Sequence, residues 1–364
     1  MMDGFTDPED GMFDVSHWLA EKKGFFPVPI IITEPAVGYG AGAALVFLHD
    51  PLAGRVPDGE TYDPHSKDAE GKLIPPSISA VFGMYTENDT WFAGGAHMGV
   101  WYNDNVRYTG AVGTGSVNMK FYGLGLTQDK GVNFNIEPSI LFQGIKFRLN
   151  GSGFFAGVNY FLNDADSSFD LSEIRPDLVI KRNSRDAAVT FTLSYDSRDT
   201  IFTPNSGFNA AIEAWLFRDS VGGDNEFEKY LAKLIYFTPV SDSLVLGLRS
   251  EVETVEGGLR DVPFYQYPFV YLRGIPIMRY QGETVGVAEA ELRWNFTKRW
   301  SVVGFGGAGR FTDITGTGSY DNVYSKGAGI RYFIARRFGA HVGFDIAKGP
   351  EDTAFYLQFG HPWR

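Results

Sequence analysis

The sequence predicts an all-β fold: a transmembrane antiparallel β-barrel of about 16 strands, preceded by a short N-terminal helical segment. Three observations carry this reading. Apolar and polar residues alternate with period two from residue 34 onward, with almost no helical periodicity. Several alternating segments run to about ten residues, the length of one tilted membrane crossing, whereas ordinary strands have a mode of about 5–6. Glycine supplies 44 of 364 residues, about 12% against roughly 7% in average chains, and aromatics supply 15%. Glycine costs about 1 kcal/mol per helix position relative to alanine, but curved sheets use it at bends. A hydrophobic share of 44% gives a soluble-looking average, which does not exclude a membrane barrel whose strands are only half apolar.

Composition excludes several classes of function. No run of about 18 apolar residues occurs, so no transmembrane helix is expected. Zero cysteines removes thiol catalysis, disulfides and cysteine metal sites. A net charge of -12 opposes general nucleic-acid binding, which needs basic faces for phosphates. The six histidines form no H-E-x-x-H, and no G-x-S-x-G occurs. GFGGAG at 304–309 fits G-x-G-x-x-G, but the RFTDITGTGSY that follows is no helix. NDADSSFD at 163–170 has acidic oxygens but lacks the glycine and terminal glutamate of a calcium loop. No cofactor, no metal and no catalytic residue is expected.

Along the chain, residues 1–33 stand apart. MMDGFTDPED is acidic, lacks a signal-peptide pattern and reads as a mature chain with an added start methionine. DVSHWLAEKKG reads as a short helix with Asp14 or Ser16 as cap, Trp18 and Leu19 apolar, and Gly24 as a stop. Such a helix needs something to dock on: the lumen, a rim or the membrane surface. GFFPVPIIITEP is extended. Residues 34–364 are assigned to the barrel. Its first strand is placed in EPAVGYGAGAALVFLH, where Gly38, Gly40 and Gly42 share one face. Residues 51–75 and 164–184 read as long polar loops, whereas TPNSG at 203–207 and the linkers near 298–299 and 336–337 are short. Long loops on one rim and tight turns on the other are expected of an outer-membrane barrel.

The later strands alternate clearly. Val189, Phe191, Leu193 and Tyr195 oppose Thr190, Thr192, Ser194 and Asp196; Ala290, Leu292, Trp294 and Phe296 oppose Glu289, Glu291, Arg293 and Asn295. SLVLGLRSEVET and GAHVGFDIA repeat the pattern. Their polar faces carry both signs of charge. Between two such strands lies YLRGIPIMRYQG, residues 271–282, preceded by FYQYPFV and broken by Pro263, Pro268 and Pro276. The prolines make it a loop, yet its tip is bulky and basic, with Arg273 and Arg279. The closing strand lies around 353–361, where Phe355, Leu357 and Phe359 alternate with other residues.

Leu272-Arg273-Gly274-Ile275 resembles the valine/isoleucine-arginine-glycine-aromatic motif of the BamA/TamA-type outer-membrane assembly and secretion superfamily, the bacterial surface antigen barrels. YDSRDTIFTPNSGF, from Tyr195 to Phe208, is similar to that family's aspartate-x-arginine-aspartate strand end and its turn. AEAELRWNFTKRWSVVGFGGAG resembles the two strands after the motif loop. The resemblance implies that the loop folds back into the barrel, with Arg273 on acids of the inner wall. Glu291 matches the family's glutamate, and Glu289 shares its face. The family's aspartate on the next strand falls at Gly307, which leaves Asp345 as the substitute, and Ile275 departs from the aromatic. The resemblance also implies the bacterial outer membrane, with lipid and client or partner membrane proteins as partners. Residues 1–33 cannot hold one of the family's POTRA modules, so the chain reads as a short member or a shortened form. TAFYLQFGHPWR is similar to the family's last-strand signal, with the terminal aromatic displaced: Trp363 precedes Arg364.

Each reading has a plainer competitor. Arg273 is a lumenal lock or a solvated loop charge; Glu289 and Glu291 are its partners or acid–base groups. Three functions fit: assembly or translocation through a weak seam between first and last strands, a porin-like channel, and a structural or partner-binding barrel.

Overall fold

The computed structural model describes residues 5–7, 9–21, 24–49, 77–122, 131–172, 178–258, 261–312 and 319–363. A short helix, α1 (Ser16–Glu21), precedes sixteen strands. These are β1 (Gly24–Ile32), β2 (Gly40–Leu48), β3 (Ile78–Thr86), β4 (Trp91–Trp101), β5 (Val106–Phe121), β6 (Val132–Arg148), β7 (Phe154–Asp170) and β8 (Val179–Asp196). There follow β9 (Gly207–Phe217), β10 (Phe227–Ser241), β11 (Leu244–Glu256), β12 (Thr284–Asn295), β13 (Trp300–Thr312), β14 (Tyr320–Ala335), β15 (Ala340–Lys348) and β16 (Thr353–Phe359). All sixteen form one sheet in strict chain order, each strand antiparallel to the next. This is the nearly closed antiparallel barrel that the alternation predicts.

Strand parity sets the two faces. Along β12, Val285, Val287, Glu289, Glu291 and Arg293 are buried, while Ala288, Ala290, Leu292 and Trp294 are exposed. Neighbouring strands repeat this: Val302, Ile330 and Phe344 point outward and Ser301, Arg331 and Asp345 inward. Charge faces the lumen and apolar side chains face lipid, as expected where no water can solvate the outer wall.

Because neighbours alternate in direction, the N-terminal segment, the end of β16 and the turns 197–206, 242–243, 296–299 and 336–339 share one rim. We call this the near rim. The connection between β2 and β3 also opens there, although residues 50–76, which include the predicted loop 51–75, lie outside the described residues. The β7–β8 connection opens on the far rim. The sequence-based division into a long-loop rim and a tight-turn rim therefore does not hold.

The segment 164–184 is also corrected. Most of it is strand: β7 runs to Asp170 and β8 starts at Val179. Asp164, Asp166, Ser168 and Asp170 share its outward face, paired with Arg185, Asn183, Lys181 and Val179. An outward face with so little apolar character stands above the lipid, so its composition reads as loop. The inward face still packs, with Ala165 and Ser167 buried.

A third correction concerns the first strand. Gly24 does not stop the helix; it opens β1, which pairs with β2 along nine residues. Gly40 and Gly42 therefore lie in the second strand and Gly38 in the turn before it, away from the seam. Pro27 and Pro29 hide β1 from a sequence reading, because proline is excluded from central strands but allowed at an edge. A Cβ at Gly42 would meet the Gly83 carbonyl oxygen at 2.3 Å, so this glycine admits close approach of β3. Phe355, Leu357 and Phe359 lie on the outward face of the last strand. Among the described residues, no ladder joins β1 to β16, whereas every other neighbouring pair is bonded.

The N-terminal segment docks on the near rim. Asp14 Oδ1 accepts the Ser16 N–H at 2.6 Å ahead of α1. Arg299, 2% exposed in the β12–β13 turn, is held by Asp7, Asp10 and Asp14 together. Arg336 adds Asp7 at 2.8 Å, Tyr332 donates to the Phe13 carbonyl, and the Val15 N–H reaches the Ile334 carbonyl at 2.8 Å. Hydrogen bonding to Arg299 lowers the Asp10 pKa to about 2. A depressed carboxylate stabilises the docked form above its ordinary pKa near 4 and loses that contribution as pH falls through the depressed value. The segment is therefore expected to stay docked at pH 5 and to release between about pH 4 and 2. Pepsin cleavage within residues 5–21 of detergent-solubilised protein, rising across that window while the barrel stays intact, checks this.

Candidate functional site

The loop between β11 and β12 enters the lumen from the far rim. A 3-10 turn at Phe264–Gln266 and the buried prolines Pro263 and Pro268 shape its descent. Phe264 packs on Phe121, Phe134 and Phe169 of the inner wall, and Gln266 donates to Asp186 Oδ2 at 3.2 Å. The loop closes on itself through the Val270 N–H to the Tyr280 carbonyl at 2.8 Å and the Gly282 N–H to the Pro268 carbonyl at 3.0 Å. Its apolar side is Val270, Leu272 and Ile275, packed on Val285, Val287 and Val323 of the wall.

Glycines in the wall make room for it. A Cβ at Gly309 would lie 2.4 Å from Val270 Cγ1, and one at Gly307 would lie 2.8 Å from Leu272 Cδ2. Gly274 turns the tip in the left-handed region at φ 87°, and a Cβ at Gly349 would fall 2.1 Å from its carbonyl oxygen. The space at Gly307 thus belongs to Leu272, which is why the family's aspartate has no place there.

Arg273 occupies the centre of the cluster. Its Nε and Nη2 donate to Glu289 Oε1 at 2.9 and 2.7 Å, and its Nη1 donates to Asp345 Oδ2 at 3.0 Å. Nη1 also lies 2.8 Å from Glu291 Oε2, an ion pair without hydrogen-bond alignment. The guanidinium stacks 3.4 Å above the Phe305 ring. Burial alone would lower the Arg273 pKa; Glu291, Glu289 and Asp345 outweigh it and hold the group charged. Arg331 shares Asp345, and Arg249 bonds the Tyr271 carbonyl at 3.0 Å and Glu251 at 3.1 Å. The tip is further pinned where the Gly274 N–H donates to Tyr356 Oη of β16 at 2.9 Å. Glu289, Glu291 and Asp345 are all inner-wall acids beside Arg273.

The sequence reading missed the other side of the cluster. Beyond β16 the chain turns inward at Gly360, whose N–H bonds the His341 carbonyl at 2.7 Å. His361 then meets Glu291 Oε1 at 3.1 Å, and Trp363 Nε1 donates to Glu289 Oε2 at 2.7 Å. Burial lowers the His361 pKa, with Glu291 opposing. Trp363 packs on Phe237. A Cβ at Gly247 would come within 3.0 Å of the Trp363 ring, another wall glycine that makes room. Trp363 at the end of an alternating strand was the one available signal. With both oxygens of each glutamate taken by cations or donors, the pair is built for holding rather than for proton transfer.

The strand end Tyr195–Phe208 is organised by its acids. Asp196 binds Arg198 in bidentate fashion at 2.8 and 2.9 Å, and Asp199 Oδ1 accepts the N–H groups of Thr200 and Asn205 at 3.0 Å each. Arg293 reaches the Pro204 carbonyl from the wall at 3.1 Å. The Omp85 superfamily domain matches residues 114–270, the stretch that contains this turn. This part of the chain is similar to the Omp85 superfamily domain. The fold comparisons find the same kind of barrel. BamA from Haemophilus ducreyi lacking POTRA domains 1-3 superposes with a TM-score of 0.59 at 13% identity, over 93% of this chain and 70% of that one. CdiB from Escherichia coli gives 0.60 at 10% identity, over 93% and 63%. CdiB from Acinetobacter baumannii gives 0.56 at 8%, over 93% and 60%. These identities speak to fold alone, and this chain spans less than two thirds of either CdiB chain. No curated protein matches by sequence.

Two substitutions probe the Arg273 cluster. Arg273→Ala leaves three buried acids facing each other and is expected to cost about 3–5 kcal/mol. Protease cleavage within 271–282 and a lowered unfolding midpoint in detergent report it. Gly307→Asp places a side chain where Leu272 sits and is expected to cost about 1–3 kcal/mol by overpacking. Adding Leu272→Ala to Gly307→Asp should recover part of the lost midpoint.

Proposed function

We propose that this barrel aids insertion or secretion of client proteins at the bacterial outer membrane, without enzymatic chemistry, through the seam between β1 and β16. One observation carries the reading: the seam is the single neighbouring pair without a ladder among the described strands. Unpaired strand edges are templates for another strand, since lipid offers backbone groups no other partner. The similarity of residues 114–270 to the Omp85 superfamily domain supports the same class of work. In this reading the Arg273 cluster is a lock that fixes the loop against β12, β13 and β15, next to the seam, and the partners are lipid and client or partner membrane proteins.

A solute channel is the second reading, favoured by Lys146, Glu213 and Lys233, which alternate inward from β6, β9 and β10. The cysteine-free chain allows a clean separation. Ile31→Cys with Phe355→Cys, joined by a bismaleimide, clamps the seam. In proteoliposomes, the open protein is expected to speed folding of a urea-unfolded small outer-membrane barrel several-fold over protein-free vesicles, and the clamped protein is not. Equal folding rates for open and clamped protein would remove the seam from the mechanism. Steady conductance in planar bilayers, unaffected by the clamp, would favour the channel.

A further inference from the structure

The two edges of the seam are not equivalent. In an antiparallel strand the N–H and C=O of one residue point to the same side, and those of the next residue point to the other. β1 pairs with β2 along nine consecutive residues that include Pro27 and Pro29. Proline has no N–H to give. An unbroken ladder through both prolines requires that the even-numbered residues bond β2. The backbone groups of Phe25, Pro27, Pro29 and Ile31 therefore face the seam, and two of these four positions lack a donor.

The other edge is complete. The Gly360 N–H bonds the His341 carbonyl and the Gly349 N–H bonds the Asp352 carbonyl, which fixes the parity of β16 against β15. Its even-numbered residues face β15. Thr353, Phe355, Leu357 and Phe359 turn four N–H and four C=O groups toward the seam, with no proline among them. This strand is also held in place from inside. Tyr356 binds the loop tip at Gly274, and His361 and Trp363 anchor the chain just beyond it to Glu291 and Glu289. A fixed edge is ready to pair without an ordering cost.

We infer that β16, and not β1, is the pairing edge of this seam, and that its ligand is an extended client strand with alternating apolar residues. The inference rests on the insertion role proposed above and names the surface that performs it. Phe355, Leu357 and Phe359 face lipid beside Ala354, Tyr356 and Gln358 on the lumenal side, so the matching strand is apolar on one face and small or polar on the other. A strand laid against β1 instead leaves its own carbonyls opposite Pro27 and Pro29 without donors in lipid. The same deficit opposes closure of β16 onto β1, which keeps the competent edge free.

Hydrogen exchange with mass spectrometry on the full chain in nanodiscs tests this, with an alternating valine–threonine nonapeptide as the probe. The peptide is expected to slow exchange of 353–359 by about tenfold or more and to leave 24–32 unchanged. Pro27→Val with Pro29→Val restores both donors, and is expected to protect 353–359 without peptide and to abolish the peptide effect. Slowed exchange at 24–32 alone, or at neither strand, overturns the assignment to β16. Unchanged exchange of 353–359 in the double variant overturns the role given to the prolines. The clamp experiment on client folding judges the insertion role by itself, so the two readings can fail separately.

Discussion

A guanidinium inside a barrel lumen sets the terms for everything around it. Arg273 is 8% exposed, and a charge so far from water persists only with partners at bonding distance. Those partners arrive from separate strands: Glu289 and Glu291 from β12, Asp345 from β15, and the face of Phe305 from β13. None is near Arg273 in sequence. The loop can take its place only after these strands have aligned, and the strands carry surplus negative charge until the loop arrives. The chain beyond β16 answers to the same acids, since His361 and Trp363 use the glutamate oxygens that Arg273 leaves open. Loop, wall and last strand are thus joined through two side chains, Glu289 and Glu291.

The clasp at the near rim follows the same logic with the signs reversed in the chain. There the arginine belongs to the barrel and the acids to the N-terminal segment. Arg299 gathers Asp7, Asp10 and Asp14, and so holds the N-terminal segment against the β14–β15 turn. A six-residue helix has too few internal bonds to stand alone. Its position comes from the ion pairs, not from its own propensity.

How much of this the sequence discloses depends on period. Strands with one lipid face and one charged face, such as β12, declare their direction and their inward residues directly. That made the barrel, the strand number and the acids at 289, 291 and 345 legible. Strands that leave the bilayer lose the apolar half of the signal, which is why the upper parts of β7 and β8 read as loop. β1 was hidden by its prolines, whose meaning depends on which edge they occupy. The inward turn after β16 was hidden because Pro362 and Gly360 announce a chain reversal without its direction. The role of Gly307 could not be read at all, since the side chain that fills its space comes from a loop thirty-five residues earlier.

Strand height varies around the barrel, and this has a mechanical consequence. β7 and β8 share seventeen paired residues, whereas β15 and β16 share seven. At about 3.4 Å per residue the tallest strand is roughly 60 Å long and the shortest roughly 24 Å. Resistance to shear between neighbours scales with the number of bonded rungs. The cylinder is therefore stiff on the side of β5–β8 and compliant on the side of β15, β16 and β1–β3. A lateral load from the surrounding membrane makes the cross-section oval by bending the low side, while the tall side keeps its curvature. The arginine cluster ties β12 and β13 to β15, and so braces one flank of the low side from within.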